Sequence, residues 1–351
     1  MRNNGVAQRT TTHPVGTMPA MYDMLERVSR TFALSNRCLP RRFRRAMTIA
    51  YLLLRVSDFL EDNHLLPPPQ KRDLLRLWDR ILAGVARKRQ LLRELREVPI
   101  EDDDAEGEVA TRFPEILRRL ALLPGPQHRV VVDRVRESTR GMALWQERGS
   151  PDKPGSVFEC EADLDDYMHY VAGIVGYMIT EVFSEVSVLI SVRRRTLMPL
   201  GREYGLGLQT VNVIRGLHKD HARGWVFVPQ SFCEAEDLSP EQLFDPAYLP
   251  RSLRVVHRLI AKAERHLLAG LSFVMKMPRS MHRVRLATMW PLLFAARTLA
   301  ISRNNPQVLL GEAKISRREV KAIIRHTTAL GWSNTWLHHY YRSILEDPPA
   351  A

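Results

Sequence analysis

Tyr51-Leu-Leu-Leu-Arg-Val-Ser-Asp-Phe-Leu-Glu-Asp62 is an unbroken helical pattern that ends in three carboxylates. The i, i+3 and i+4 spacing of Asp58, Glu61 and Asp62 stacks them on one helix face. Tyr51, Arg55, Asp58 and Asp62 follow one another at steps of four, three and four, so a hydroxyl, a guanidinium and two carboxylates share a stripe in an otherwise apolar segment. Acidic helix faces are common and most are simply solvated. A solvated face does not need Leu52, Leu53 and Leu54 beside it, and charge among leucines is costly unless it is paired or binds a metal. Three like charges repel until hard cations bridge them, and Mg²⁺ takes oxygen ligands from one or two carboxylates plus substrate phosphates. The stretch points to a cavity wall for Mg²⁺-dependent diphosphate chemistry.

Around this stretch the sequence reads as all-α. Its 351 residues are 45% hydrophobic with only 18 glycines, enough to bury a large core. Long helical periodicities recur without convincing strand alternation. Expected helices run over Pro19 to Cys38, Arg41 to Asn63, Lys71 to Val98 as one helix or a pair, Phe113 to Leu123, Gln127 to Gln146 and Leu164 to Val188. Others follow over Leu200 to Asp220, Pro250 to Met277, Arg283 to Asn304 and Arg317 to Leu345. Pro67-Pro68-Pro69, Pro124-Gly125-Pro126 and Ser150 to Gly155 punctuate them. Glu101 to Asp104, with Glu106 and Glu108, lack an apolar partner face and read as a solvated loop. Gly173 and Gly176 allow close helix approach, room for a ligand chain, or a kink. The expected organisation is a disordered tail over 1–18, one domain over 19–346 and a short tail over 347–351.

Cys38, Cys160 and Cys233 are scattered, odd in number and without metal spacing, which fits reduced thiols in a cytosolic compartment. No signal-peptide core is present before Ala20. The most apolar stretch, Leu286 to Ile301, is interrupted by Pro291 and Arg297, so no bilayer-crossing segment is expected. The net charge of +13 gathers at Arg41, Arg42, Arg44, Arg45 and Arg193 to Arg195. No zinc-finger spacing or RNA-binding signature accompanies it, so nucleic acid is not an expected partner. A solvated basic face is the plain reading, and anionic headgroups or an anionic diphosphate are the functional ones.

A second cluster, Leu206 to Asp220, sets Asn212, Arg215 or Gly216, and Lys219 on one face. Here the chain resembles the squalene and phytoene synthases, the head-to-head prenyltransferases, and more closely the squalene synthases. Tyr51 to Asp62 is similar to that family's first aspartate-rich motif, Ser29-Arg30-Thr31-Phe32 to its phosphate-contacting segment, and Tyr167 to Gly176 to its catalytic-tyrosine helix. Val308 to Arg317 resembles the segment tied to the reductive half-reaction. The likeness covers roughly Tyr22 to Leu345 in order and spacing.

The resemblance implies an isoprenoid synthase fold, a helical bundle around a central cavity. It implies condensation of two farnesyl diphosphates to presqualene diphosphate, then reduction by NADPH to squalene, the farnesyl-diphosphate farnesyltransferase reaction. In that scheme Asp58, Glu61, Asp62 and Asp220 carry Mg²⁺, while Ser29, Arg30, Tyr51, Arg55, Asn212, Arg215 and Lys219 meet diphosphate. Asp58, Asp62 and Tyr167 act in catalysis, with Tyr167 handling a proton, and Lys314 and Arg317 contact NADPH. The second motif departs from the family: Gly216 and Lys219 replace two expected carboxylates and leave Asp220, weakening Mg²⁺ binding on that wall. His218 and His221 are poor Mg²⁺ ligands. A terpene cyclase using one prenyl diphosphate, and a non-catalytic prenyl-binding or assembly protein, are the competing readings. A monomer in the cytoplasm, with or without attachment to the inner membrane surface, fits all three.

Overall fold

The computed structural model describes residues 13–14, 16–98, 100, 104–148 and 158–346. Of the expected tail over 1–18, residues 1–12 and 15 lie outside those residues, while Thr17 caps α1 and Met18 opens it; the tail over 347–351, most of the acidic run at 101–104 and the turn at 150–155 also lie outside them. The helices are α1 Met18–Val28, α2 Arg30–Cys38, α3 Arg41–Asp62, α4 Pro68–Leu82, α5 Lys88–Glu97, α6 Ala105–Thr111, α7 Phe113–Leu120, α8 Gly125–Arg148 and α9 Glu161–Met168. A π-turn over His169–Gly173 leads into α10 Ile174–Val186 and α11 Val188–Ser191. Then come α12 Arg194–Ala222, α13 Gln230–Glu234, α14 Leu249–Lys276, α15 His282–Ser302, α16 Gln307–Leu310, α17 Arg317–Leu330 and α18 Asn334–Glu346. No strand occurs among the described residues, so the expected all-α class is the observed one.

Four expectations need correction. Pro19 to Cys38 is two helices, because Ser29 is extended and uses its hydroxyl as the N-cap of α2, accepting from the Phe32 amide at 3.3 Å. Leu164 to Val188 is interrupted by the π-turn and stops at Val186. Arg317 to Leu345 breaks after Leu330, where the Gly331 amide closes α17 on the Thr327 carbonyl at 2.8 Å. The supposed loop at Glu106 and Glu108 is helix α6, capped by the Asp104 carboxylate on the Glu106 amide and anchored by buried Val109 and Ala110.

Helix α3 is wrapped on three sides. Leu52, Leu53, Val56 and Leu60 have no solvent exposure, and α8, α1, α4 and α7 close around them. Burial of that apolar surface is what makes a helix with this much charge stable, since packing supplies most helical stability. Helix α12, the longest, packs along α14 and α10. Its contact with α10 is backbone against backbone: a Cβ on Gly176 would meet the Gly201 carbonyl oxygen at 1.9 Å, and one on Gly205 the Ala172 oxygen at 2.3 Å. Gly176 therefore serves close approach, the first of the roles open from the sequence. Helix α15 has the length and apolar composition of a membrane span, but 89% of that window is buried inside the bundle, as in a core helix, so among the described residues there is no clear span, as expected. The fully buried Arg285 on α15 donates to the carbonyls of Val274 and Met277 at 3.0 and 2.8 Å, holding the end of α14.

Replacing Gly176 by Ala forces α10 and α12 apart. It should destabilise the protein by about 1–3 kcal/mol, the usual cost of overpacking, read from denaturant midpoints.

Candidate active site

Between the carboxyl ends of α3 and α12 lies a cavity of about 340 Å³. From α3 it is lined by Tyr51, Leu54, Arg55, Asp58, Glu61 and Asp62, and from α12 by Gln209, Asn212, Val213 and Asp220. Tyr167 stands between the walls, and Arg223, Trp225 and Phe227 close the rim. The carboxylates thus face inward.

The i+4 stacking within α3 builds the first wall. Arg55 donates from Nε to the Tyr51 hydroxyl at 3.0 Å, and its Nη1 lies 3.3 Å from Asp58 and 3.1 Å from Glu106 of α6. Tyr51 in turn stacks on Phe32 with ring centroids 4.3 Å apart. The guanidinium is fixed in orientation from both sides. Glu61 is buried and accepts a long 3.5 Å bond from the Gln146 amide.

These acids resist ionisation. Burial, partly offset by Arg55, pushes Asp58 up to about 6. Asp62 rises to about 7, through desolvation in the cavity mouth, although its side chain still reaches solvent, and through the charges of Asp58 and Glu106. Glu61 is raised well above the carboxylate range by burial and by Asp62 and Asp58. Each is a site where charge is waiting for compensation.

The second wall carries less acid. A Cβ on Gly216 would lie 2.5 Å from the Asp220 carboxylate, which folds back over the bare glycine. Burial raises the Asp220 carboxyl, against the pull of Arg223 and Lys219. Gly224, at φ +80°, ends α12 with the Trp225 amide on the Asp220 carbonyl and the Gly224 amide on that of His221, both at 2.9 Å. That reversal aims Trp225 and Phe227 back into the cavity.

Tyr167 is buried in a cage of rings: Trp145, Phe158 and Phe227 have centroids 5.8, 5.5 and 5.7 Å from its own. Its phenol is held well above its ordinary pKa by burial and by Glu61, Asp62, Asp58 and Asp220. One hydroxyl senses acids from both walls, so the walls converge on it.

The remaining sequence candidates sit around this centre. Asn212 lines the cavity and donates to Gln209 at 3.3 Å. Arg215 and Lys219 are exposed and lie off the lining; Arg215 is 3.8 Å from Glu312, which Lys314 also pairs at 2.7 Å. Arg317 is exposed in the first turn of α17, Arg30 is exposed at the start of α2, and the Ser29 hydroxyl is engaged in its cap.

Two cationic groups escaped the list of expected site residues. Arg223 lines the cavity rim. Lys71, only 2% exposed, sits 5.1 Å from the Trp225 ring, and its pKa is lowered by burial against the pull of Asp62 and Glu61. Its signal was available: Lys71, Leu74, Leu75 and Trp78 share one face of α4, so this lysine interrupts a buried stripe.

The squalene/phytoene synthase family model matches residues 25–319. The chain belongs to that family of head-to-head prenyltransferases. Family members act on prenyl diphosphates. It is similar to squalene synthase of Rattus norvegicus, 24% identical over 99% of this chain and 79% of the rat protein. It is also similar to the squalene synthases of Gibberella zeae and Botryococcus braunii, at 27% and 29% identity over 87% and 85% of this chain. The chain spans 63% and 60% of those two proteins. Among solved structures, a ligand complex of TcSQS superposes with a TM-score of 0.79 at 24% identity, covering 95% of this chain and 93% of that one. The squalene synthase HpnC of Alicyclobacillus acidocaldarius gives 0.52 at 16% identity, covering 90% and 94%. The fold is the isoprenoid synthase fold.

The acids also fix a pH dependence. A carboxyl whose native pKa is raised keeps a proton that the unfolded chain releases above about pH 4, so its ionisation costs stability as pH climbs toward the native value. In a chelator, Asp62→Asn should raise the melting temperature more at pH 7.5 than at pH 5, and adding Mg²⁺ should shrink the gain at pH 7.5. A gain independent of pH would contradict the site's electrostatics.

Proposed function

We propose that this synthase joins two farnesyl diphosphates head to head through presqualene diphosphate. One observation carries the reading: four carboxylates from two helices converge on the Tyr167 phenol inside a cavity walled by aromatic rings.

The donor set fits a hard divalent cation, because Asp58, Glu61 and Asp62 are oxygen donors on one wall of a single cavity with too little positive charge beside them. Asp58, Glu61, Asp62 and Asp220 would hold Mg²⁺. When bound, Mg²⁺ draws off the charge that develops on the diphosphate as its carbon–oxygen bond ionises. Arg55, locked by Tyr51 and Glu106, presents a planar fork to a phosphate oxygen. On the α12 side, with one carboxylate, the diphosphate is met directly by Arg223 at the cavity and by Arg215 and Lys219 beyond it.

Tyr167 keeps its proton at neutral pH because burial and the neighbouring acids both oppose its ionisation. It serves as a neutral hydroxyl, able to receive a proton from carbon only while passing its own onward. Tyr167, Phe227 and Trp225 stack in sequence, each centroid 5.7 Å from the next, and line the cavity with aromatic surface suited to sheltering a developing carbocation from water.

For the reductive step, Lys314, Arg215 and Lys219 lie around Glu312, and Arg317 is exposed at the start of α17. This local excess of positive charge suits the phosphates of NADPH, with Lys314 and Arg317 as its contacts.

Labelled farnesyl diphosphate incubated with protein and Mg²⁺ should give a product of doubled carbon count, stopping at presqualene diphosphate without NADPH and proceeding to squalene with it. Asp58→Asn should lower diphosphate release on the order of a hundredfold or more. A product of unchanged carbon count identifies a cyclase. Absence of release across a wide Mg²⁺ range, from folded protein, identifies a non-catalytic binder.

A further inference from the structure

At the end of the bundle away from the cavity, three large apolar side chains stand in solvent on one short turn. Val188 is 77% exposed, Leu189 50% and Val192 74%, while Ile190 between them is fully buried and pins the turn to the body. Other exposed apolar side chains, such as Val85, Leu122, Leu144 and Leu268, stand apart along the chain, whereas these three share a single turn and form a patch of the kind that marks a contact surface.

The surroundings of this patch are basic. Arg193, Arg194 and Arg195 follow it directly and are exposed. Three contacts bring further chain to the same end. Phe183 of α10 packs edge-on against Phe43 of α3 at 5.0 Å, which places Arg41, Arg42 and Arg45 beside it. Ser187 meets Met281 at 3.3 Å, and Arg283 donates to the Cys38 carbonyl at 2.8 Å, which brings in the turn carrying Arg279. Arg194 is paired with Glu181. Arg41, Arg42, Arg45, Arg195 and Arg279 have no carboxylate partner among the described residues. From residue 181 to 198 the only exposed acid is Glu185.

We infer that this end of the bundle docks on an anionic lipid bilayer, Val188, Leu189 and Val192 entering the headgroup boundary while the surrounding arginines meet lipid phosphates. The pairing of a small apolar protrusion with a ring of cations is what interfacial binding requires, since neither element alone gives stable attachment. A nucleic acid would use the arginines and leave the valines in water. The face is independent of the chemistry proposed for the cavity: Arg41 and Asp58 are separated by about 25 Å along α3.

Co-sedimentation of the full chain with vesicles tests this without any substrate. Vesicles containing phosphatidylglycerol should retain the protein, pure phosphatidylcholine should retain little, and salt should weaken the binding. Val188→Asp with Val192→Asp should lower partitioning about tenfold, and Arg41→Glu with Arg42→Glu at least about tenfold. Circular dichroism of both variants should match wild type, because the altered side chains are in solvent. Undiminished binding of either folded variant to anionic vesicles overturns the inference. So does salt-sensitive binding to an RNA or DNA duplex with none to vesicles.

Discussion

Uncompensated negative charge is the constraint around which this protein is organised. Asp58, Glu61 and Asp62 emerge from a helix whose other sides are buried in leucine and valine, and Asp220 approaches from the opposite wall. Arg55 and Lys71 relieve part of that charge; the raised pKa values of the acids show that a large part remains. A soluble core would eliminate such a cluster, because each ionised group there opposes folding. Its retention makes sense only if a cation and its anionic ligand complete the circuit, which ties the stability of the region to the occupancy of the site.

The rest of the architecture holds the two walls at a fixed separation. Helices α10 and α12 meet at Gly176, Gly201 and Gly205 with their backbones in contact, a geometry that leaves no freedom for sliding. The π-turn at His169–Gly173 begins two residues after Tyr167, adding a residue to the helix beside the tyrosine. Gly141 of α8 contributes to the same corner: a Cβ there would overlap the Tyr170 ring. Rigid support on every side suits a site that must exclude water.

Much of this was legible in the sequence because its signals are local. The stripe from Tyr51 to Asp62 obeys helical spacing, and its apolar neighbours announce burial, so the first wall and its inward direction follow from the residues alone. The glycines at 173 and 176 allowed close helix approach as one of three readings, and the packing of α12 selects it. What escaped depends on partners distant in the chain or on breaks without a composition signal. Glu106 looked like part of a solvated acidic run; it becomes a site residue only because α6 lands 51 positions from Arg55. The break at Ser29 lies between two segments that each favour helix, and the π-turn leaves no mark in hydrophobic periodicity. Lys71 was visible as a lysine on an apolar face, but its proximity to Glu61 and Asp62 emerges only when α4 packs beside α3.

Asp220 lying across Gly216 bears on how the second wall can change over evolutionary time. The carboxylate at 220 fills the space that any side chain at 216 would claim, so the two positions are not independent letters of a motif. A side chain introduced at 216 makes the flexible Asp220 carboxylate turn to a new position, which changes where that oxygen donor sits on the wall. Such a pair is coupled: the effects of changing both positions together are not the sum of the single changes.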